Sequence, residues 1–181
     1  MKLDLDLGGS RLRTLTPHDT SLVVEATRGE TGRALWGARP VGPYSLAHAE
    51  AALESWTLTV GRQTSYGLIV DGRLVGAVGF MLDDRGGVEL AYWVRPEARG
   101  RGVAVRMLRS VTESAHRDGG AARLWLEINP DNVASQQVAR KAGYRLEERL
   151  ADHCRSWVSD DPERDVWHDC LIWVHTVAET G

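Results

Sequence analysis

The sequence lacks any long hydrophobic run. Nowhere in its 181 residues does an apolar stretch approach the ~20 needed to cross a bilayer, which excludes a helical integral membrane protein. It has no surplus of positive charge either. Lys and Arg number 22 against 25 Asp and Glu, a net charge of −3 that argues against a dedicated nucleic-acid binder. Cysteine is scarce, with Cys154 and Cys170 alone. The N-terminal run MKLDLDLGGSRLR is too acidic and too poor in apolar residues for a secretory signal. The expectation is therefore a cytoplasmic protein with reduced thiols, one disulfide between the two cysteines being the alternative. Phenylalanine is nearly absent, one residue against seven tryptophans, and most of those indoles are expected in the core. There is no internal repeat and no low-complexity linker, so residues 1–181 are expected to form one domain. Hydrophobic content of 43% and charged content of 26% fit a soluble globular chain with a sizeable core.

What is present is ordered by period. Arg11–Leu15 reads as a short strand. Thr16-Pro17-His18-Asp19 then reads as a helix start, with Thr16 as N-cap and Pro17 at the first helical position. This helix fades near Gly29, and GARPVGPY interrupts it. A second helix follows Ser45, with Leu46, Ala49, Leu53, Trp56 and Val60 on one face. The period then changes to two. Tyr66–Val70 and Leu74–Leu82 flank the hairpin turn Asp71-Gly72, and Val88–Val94 follows the turn Asp83–Gly87. Ala104, Met107, Leu108, Val111 and Ala115 mark a further helix ending at Gly119-Gly120. Arg123–Ile128 is a strand, Asn132 starts a helix running to about Ala142, and Tyr144–Leu150 and Val166–Thr176 close the chain. This order predicts an α+β, mixed α/β domain. Its parallel part is local, because a right-handed crossover makes strands 88–94 and 122–128 neighbours.

The stretch VRPEARGRGVAVRMLRS places two glycines among arginines where a helix begins. A helix start carries unpaired N–H groups and a partial positive charge, and glycine lets a ligand approach the backbone. Together these make an anion cradle from Gly100, Arg101, Gly102, Val103 and Ala104. The Gly-Lys-Ser/Thr of a P-loop is missing, and G-x-G-x-x-G is incomplete because Val105 stands at its end.

A third pattern fits: R-x-x-G-x-A at Arg99, Gly102 and Ala104. After it come Asn129-Pro-Asp-Asn132-Val-Ala-Ser135 and Lys141-Ala-Gly143-Tyr144, and before it Glu89-Leu-Ala-Tyr-Trp93. In this order and spacing the set resembles the GCN5-related N-acetyltransferase (GNAT) superfamily, over about residues 10–176. More narrowly it resembles the branch containing the bacterial ribosomal-protein N-terminal acetyltransferases. The resemblance implies a GNAT-like mixed, mostly antiparallel sheet of about seven strands with helices on both faces. It implies a splay between the fourth and fifth strands, here 88–94 and 122–128. Acetyl-CoA is the implied co-substrate, its pyrophosphate on the cradle and its pantetheine along the backbone of Trp93 and Val94. Asn129, Asn132 and Ser135 are implied contacts as well. Arg95, Arg101 and Arg106 either meet phosphate or form a solvated basic face.

Acetyl transfer to an amine needs a base, a donor for the developing oxyanion and stabilisation of the leaving thiolate. Glu89 is the candidate base, with Glu127 as its rival. The tyrosine common in the superfamily is replaced by Ala139, so the usual general acid cannot be assigned. Ser135, one turn earlier, is the candidate partner of the CoA sulfur. Tyr144 is expected to pack in the core. No metal is required. His153-Cys154 and His168-Asp-Cys170 are candidate soft ligands, but adjacent strand residues point to opposite faces, which spoils the first pair. Histidine and cysteine on ordinary core strands are the preferred reading.

The acceptor site is expected between the first two helices, the loop Gly37–Tyr44 and the last strand pair. Trp36, Tyr44 and Trp157 are its candidate lining, and DDPERD, Asp160–Asp165, either attracts a cationic amine or is a solvated loop. Three functions are open: acetylation of a peptide or protein α-amino group, acetylation of a small amine, and non-catalytic acyl-CoA binding. A homodimer is a partner that the branch implies. Nucleic acid and membrane are not expected partners.

Overall fold

The structure is a computed structural model that describes residues 2–29, 39–56, 62–83 and 87–177. Eight strands build one sheet: β1 (Asp4–Asp6), β2 (Arg11–Thr14), β3 (Gln63–Val70), β4 (Arg73–Leu82), β5 (Val88–Val94), β6 (Arg123–Ile128), β7 (Arg145–Ser156) and β8 (Val166–Thr176). They lie in the order β1-β2-β3-β4-β5-β6-β8-β7. Four α-helices cover it: α1 (Thr20–Ala26), α2 (Leu46–Ser55), α3 (Val103–Arg117) and α4 (Val133–Lys141). The α+β expectation holds, with eight strands where about seven were expected. The additional one is β1, three residues long, held against β2 on the sheet edge.

Local signals account for most elements. Asp71 and Gly72 both take positive φ, 47° and 72°, and join β3 to β4 in the tight turn that Asp-Gly favours. Ser45 accepts from His48 N at 3.2 Å and starts α2. On α2, Ala49, Leu53 and Trp56 are buried, but Leu46, expected on the same face, is exposed. Val60, expected on that face too, lies outside the described residues. Thr16 and Asp19 form a capping box, yet the chain makes one 3-10 turn over Pro17–Asp19 before α1 begins.

Alternation along β4 and β5 divides the core. Val78, Phe80, Val88, Leu90 and Val94 pack with Met107, Leu108 and Val111 of α3. Ala77 and Trp93 pack on the other face with Val23 and Ala26 of α1 and Ala49 and Leu53 of α2. Helices therefore lie on both faces.

β5 and β6 run parallel, and only Val88 with Leu124 and Glu89 with Trp125 are paired. Past that point β5 stays on β4 and β6 stays on β8, so the sheet is open between them. This is the expected splay, and it positions the site.

Candidate active site

The splay leads into a cleft of about 550 Å³ walled by the end of β5, the start of α3 and the start of α4. Trp93, Val94, Arg99, Gly100, Gly102, Val103, Ala104, Asn132 and Ser135, all candidates for cofactor contact, line it. Gly102 is the N-cap of α3 at φ 73° and brings no side-chain cap. Gly100 takes φ 73° as well, and a Cβ at either glycine would meet nothing within 4 Å. Glycine is needed here for backbone conformation rather than for space within the protein, and the room in front is left to a ligand. Asn132 caps α4 by accepting from Ser135 N at 3.0 Å. The local fold thus fits a phosphate-bearing thioester cofactor: an uncapped helix start, room before it, and strand backbone without a β6 partner.

Several expected residues have other duties. Arg99 turns its Nε back onto Val94 O at 2.9 Å and braces the loop. Arg95 is buried and pairs with Glu25 at 3.2 Å and Glu97 at 3.5 Å, which rules out the phosphate reading for that side chain. Arg101 does not line the cleft. It and Arg106 are exposed, without an ion pair among the described residues. Asn129 also stays outside the cleft lining, and its Oδ1 accepts from Asp131 N at 2.8 Å in the turn before α4. Ala139 is fully buried and Tyr144 packs in the core, where its hydroxyl meets Thr112 Oγ1 at 2.6 Å.

Tyr92 has a place in the cleft that the sequence reading did not give it. Its hydroxyl lies 2.7 Å from Ser135 Oγ, bridging β5 to α4. Burial raises the phenol above its ordinary pKa, against the hydrogen bond to Ser135.

The opposite face of the splay carries the acids. Glu89 is half-buried on β5, on the face to which alternation also assigns Trp93. Burial, reinforced by the nearby Glu127 charge and opposed by His153, raises the Glu89 carboxyl to about 7. Glu127 contacts His153 Nε2 at 3.3 Å and lies 3.4 Å from Cys154 Sγ. His153 and Cys154 thus reach the same carboxylate although they are adjacent on β7. The expectation that they diverge is corrected by an irregularity in β7–β8 pairing between Leu150 and Cys154, with Asp152 at φ 48°. A bulge interrupts alternation and re-aims side chains.

The two cysteines are joined, with Cα atoms 5.3 Å apart across β7 and β8. Reduced thiols were expected, but the shifted register brings the pair within bridging range. Glu127, Cys154 and Cys170 set ligand atoms within 4.8 Å of one another, but bonded sulfurs offer no thiolate to a metal.

On the acceptor side, Trp36 lies outside the described residues. Tyr44 is buried in the α1–α2 core, so it packs rather than lines a pocket. Trp157 lies under the Arg155 guanidinium, 4.9 Å from the ring centre. The DDPERD loop is a clamp: Asp165 holds Arg39 at 2.5 Å, and Asp160 accepts from Val41 N at 2.9 Å. Its two end carboxylates are engaged within the protein.

A mixed sheet split beside an uncapped, glycine-led helix places the chain in the class of α+β proteins with an anion cradle at the mouth of a split sheet. Within it, the chain belongs to the GNAT family: the acetyltransferase (GNAT) domain model matches residues 10–145. The ribosomal-protein-S5-alanine acetyltransferase from Vibrio fischeri has the same fold, with TM-score 0.83, 12% identity and 98% of both chains covered. RimL, a ribosomal L7/L12 alpha-N-protein acetyltransferase in complex with coenzyme A, matches with TM-score 0.77 at 17% identity, over 97% of this chain and 98% of that one. An aminoglycoside acetyltransferase in complex with coenzyme A matches with TM-score 0.67 at 18% identity, over 92% and 94%.

Proposed function

We propose that this acetyltransferase moves the acetyl group of acetyl-CoA onto a primary amine by direct attack, the acceptor being the α-amino group of a peptide or protein. Residues 1–181 act as one catalytic domain in the cytoplasm. The observation that carries the reading is the half-buried Glu89 carboxyl, held at about 7, beside the splay. Near neutral pH such a group accepts a proton from an ammonium, directly or through one water. The amine then attacks the thioester carbonyl while the pantetheine lies along β5 beyond Glu89, against Trp93 and Val94. The start of α3 receives the pyrophosphate through N–H groups that helix geometry leaves unpaired. Ser135 hydrogen-bonds the leaving sulfur from α4. Glu127, tied to His153, raises the proton affinity of Glu89 and is its positioning partner rather than the base. Peptide acceptors are favoured because two ribosomal-protein acetyltransferases share nearly the full length of this fold. The aminoglycoside acetyltransferase neighbour keeps small amines as the second reading.

The test is thiol release from acetyl-CoA with a panel of free-N-terminal peptides, polyamines and aminoglycosides. Turnover with peptides is expected, and Glu89→Gln should lower it while acetyl-CoA binding, followed by calorimetry with NADH as control, survives. Turnover with small amines alone would select the second reading. A Glu89→Gln enzyme of normal rate at neutral pH would remove Glu89 as base.

A further inference from the structure

We propose that Tyr92 is a positioning residue for the leaving thiolate: its hydroxyl donates to Ser135 Oγ and so turns the Ser135 hydroxyl hydrogen into the cleft, toward the cofactor sulfur. The inference rests on the N-acetyltransferase reading and names a part that reading lacks. Among the described residues lining the cleft, Tyr92 and Ser135 are the two that carry a hydroxyl. They come from opposite walls, β5 and α4, 43 positions apart in sequence, and their oxygens meet at 2.7 Å. Ala139, where the superfamily's common tyrosine would stand, is fully buried and does not line the cleft.

The direction of the bond follows from chemistry. A phenol is a stronger donor than an aliphatic alcohol, and the other oxygen within its reach, Ser135 O, is farther at 3.4 Å. With Tyr92 donating, the single hydrogen of Ser135 is free for a second acceptor. In the reverse arrangement that hydrogen is spent on Tyr92, and none is left for sulfur. As the acetyl group transfers, the C–N bond forms and the C–S bond breaks. The electron pair moves onto sulfur, and Glu89, having passed the ammonium proton to bulk water, takes the second proton from the nitrogen of the tetrahedral intermediate. The thiolate leaves hydrogen-bonded to Ser135 and takes its proton from water on release. Burial keeps the Tyr92 phenol protonated through neutral pH, so it supplies a standing donor rather than a net proton.

The experiment compares Tyr92→Phe, Ser135→Ala and the double variant by kcat, with acetyl-CoA Kd measured separately. Both single changes remove one hydroxyl and little else. Tyr92→Phe is expected to lower kcat about 2- to 10-fold, the range of the one neutral hydrogen bond it removes, and Ser135→Ala by more, while Kd stays within about twofold. The double variant should be no slower than Ser135→Ala, because Tyr92 acts only through that hydroxyl. A purely structural Tyr92 would instead give multiplied losses in the double variant, or a change in Kd. Either result, or a Tyr92→Phe enzyme of wild-type rate, overturns the inference. If Ser135→Ala alone is harmless while turnover still requires Glu89, the inference fails and the acetyltransferase reading stands. If the unaltered protein binds no acetyl-CoA and releases no thiol, both fail.

Discussion

The Glu89 carboxyl is caught between burial and a neighbouring negative charge, and both favour its neutral form. Its pKa rises from an ordinary 4.5 to about 7 in the folded protein. Between those values the folded state keeps a proton that the unfolded chain has released, so stability falls as pH rises through this window. Replacing Glu89 with Gln removes that dependence. Between pH 4 and pH 8, the stability difference should move in favour of Glu89→Gln by about 2 to 3 kcal/mol, as read from parallel denaturant titrations. No movement would mean that Glu89 is ordinary, and with it the base assignment. In the unaltered enzyme kcat/KM should climb through pH 7 and level off above it. Gly102 separates conformation from ligand space in the same way. Its φ of 73° makes any side chain there costly, yet a Cβ meets nothing. Gly102→Ala should lose about 1 to 2 kcal/mol of stability and keep acetyl-CoA affinity within severalfold. Gly102→Glu should add a loss of binding on the order of 100-fold, from the carboxylate facing the pyrophosphate. Equal Kd values for the two variants would defeat the cradle. Glu89, Gly102 and Ser135 could be singled out in the sequence because each sits in a short local motif that matches the family pattern, and the structure places Gly102 and Ser135 on the cleft. The pattern did not reach Tyr92, quoted in the same strand, because a hydroxyl's partner on a helix far along the chain depends on how the sheet and helix pack. Nor did it show that Arg95 would be taken by Glu25 and Glu97.

At the scale of elements, the start of α4 is both a capped helix end and a cleft wall. Asn132 holds its first turn by accepting from Ser135 N, and the same residue lines the cleft. Two substitutions separate these duties. Asn132→Ala removes the cap and should cost about 1 kcal/mol of stability. Asn132→Asp keeps a capping oxygen and puts negative charge at a helix N-terminus, where it is welcome. Its melting temperature should stay close to that of the unaltered protein, while acetyl-CoA binding weakens about tenfold by repulsion. Unchanged binding by Asn132→Asp would reduce Asn132 to a cap. The helices and the β3–β4 hairpin were legible because capping residues, turn glycines and period are local properties. The β7 bulge was not, since its displaced register is set by pairing with β8 and no glycine or proline marks it. Strand β1 was missed for a related reason: three residues carry too little period, and their conformation comes from pairing with β2.

At the scale of the molecule, the sheet is two halves, β1–β5 and β6-β8-β7, joined by two β-bridge residue pairs and by helices packed across the gap. On the proposed reading, the division lets one opening serve two reactants. The cofactor would enter from the α3–α4 face, where cradle, Asn132 and the Tyr92–Ser135 pair lie, and the amine would reach the thioester from the face that carries Glu89, Glu127 and His153. A cofactor lying in the splay supplies bonding groups to β5 backbone that β6 does not meet. Acetyl-CoA should therefore stabilise the whole chain by mass action, raising its melting temperature with concentration. It should also slow amide exchange selectively at Leu90–Val94 on β5 and at the start of α3, with little change on β1 and β2. NADH should do neither. Protection spread evenly over the sheet would mean that the ligand acts only through global stability. Protection confined to α3 would mean that the phosphates are held but the pantetheine does not enter the splay, leaving the thioester far from Glu89.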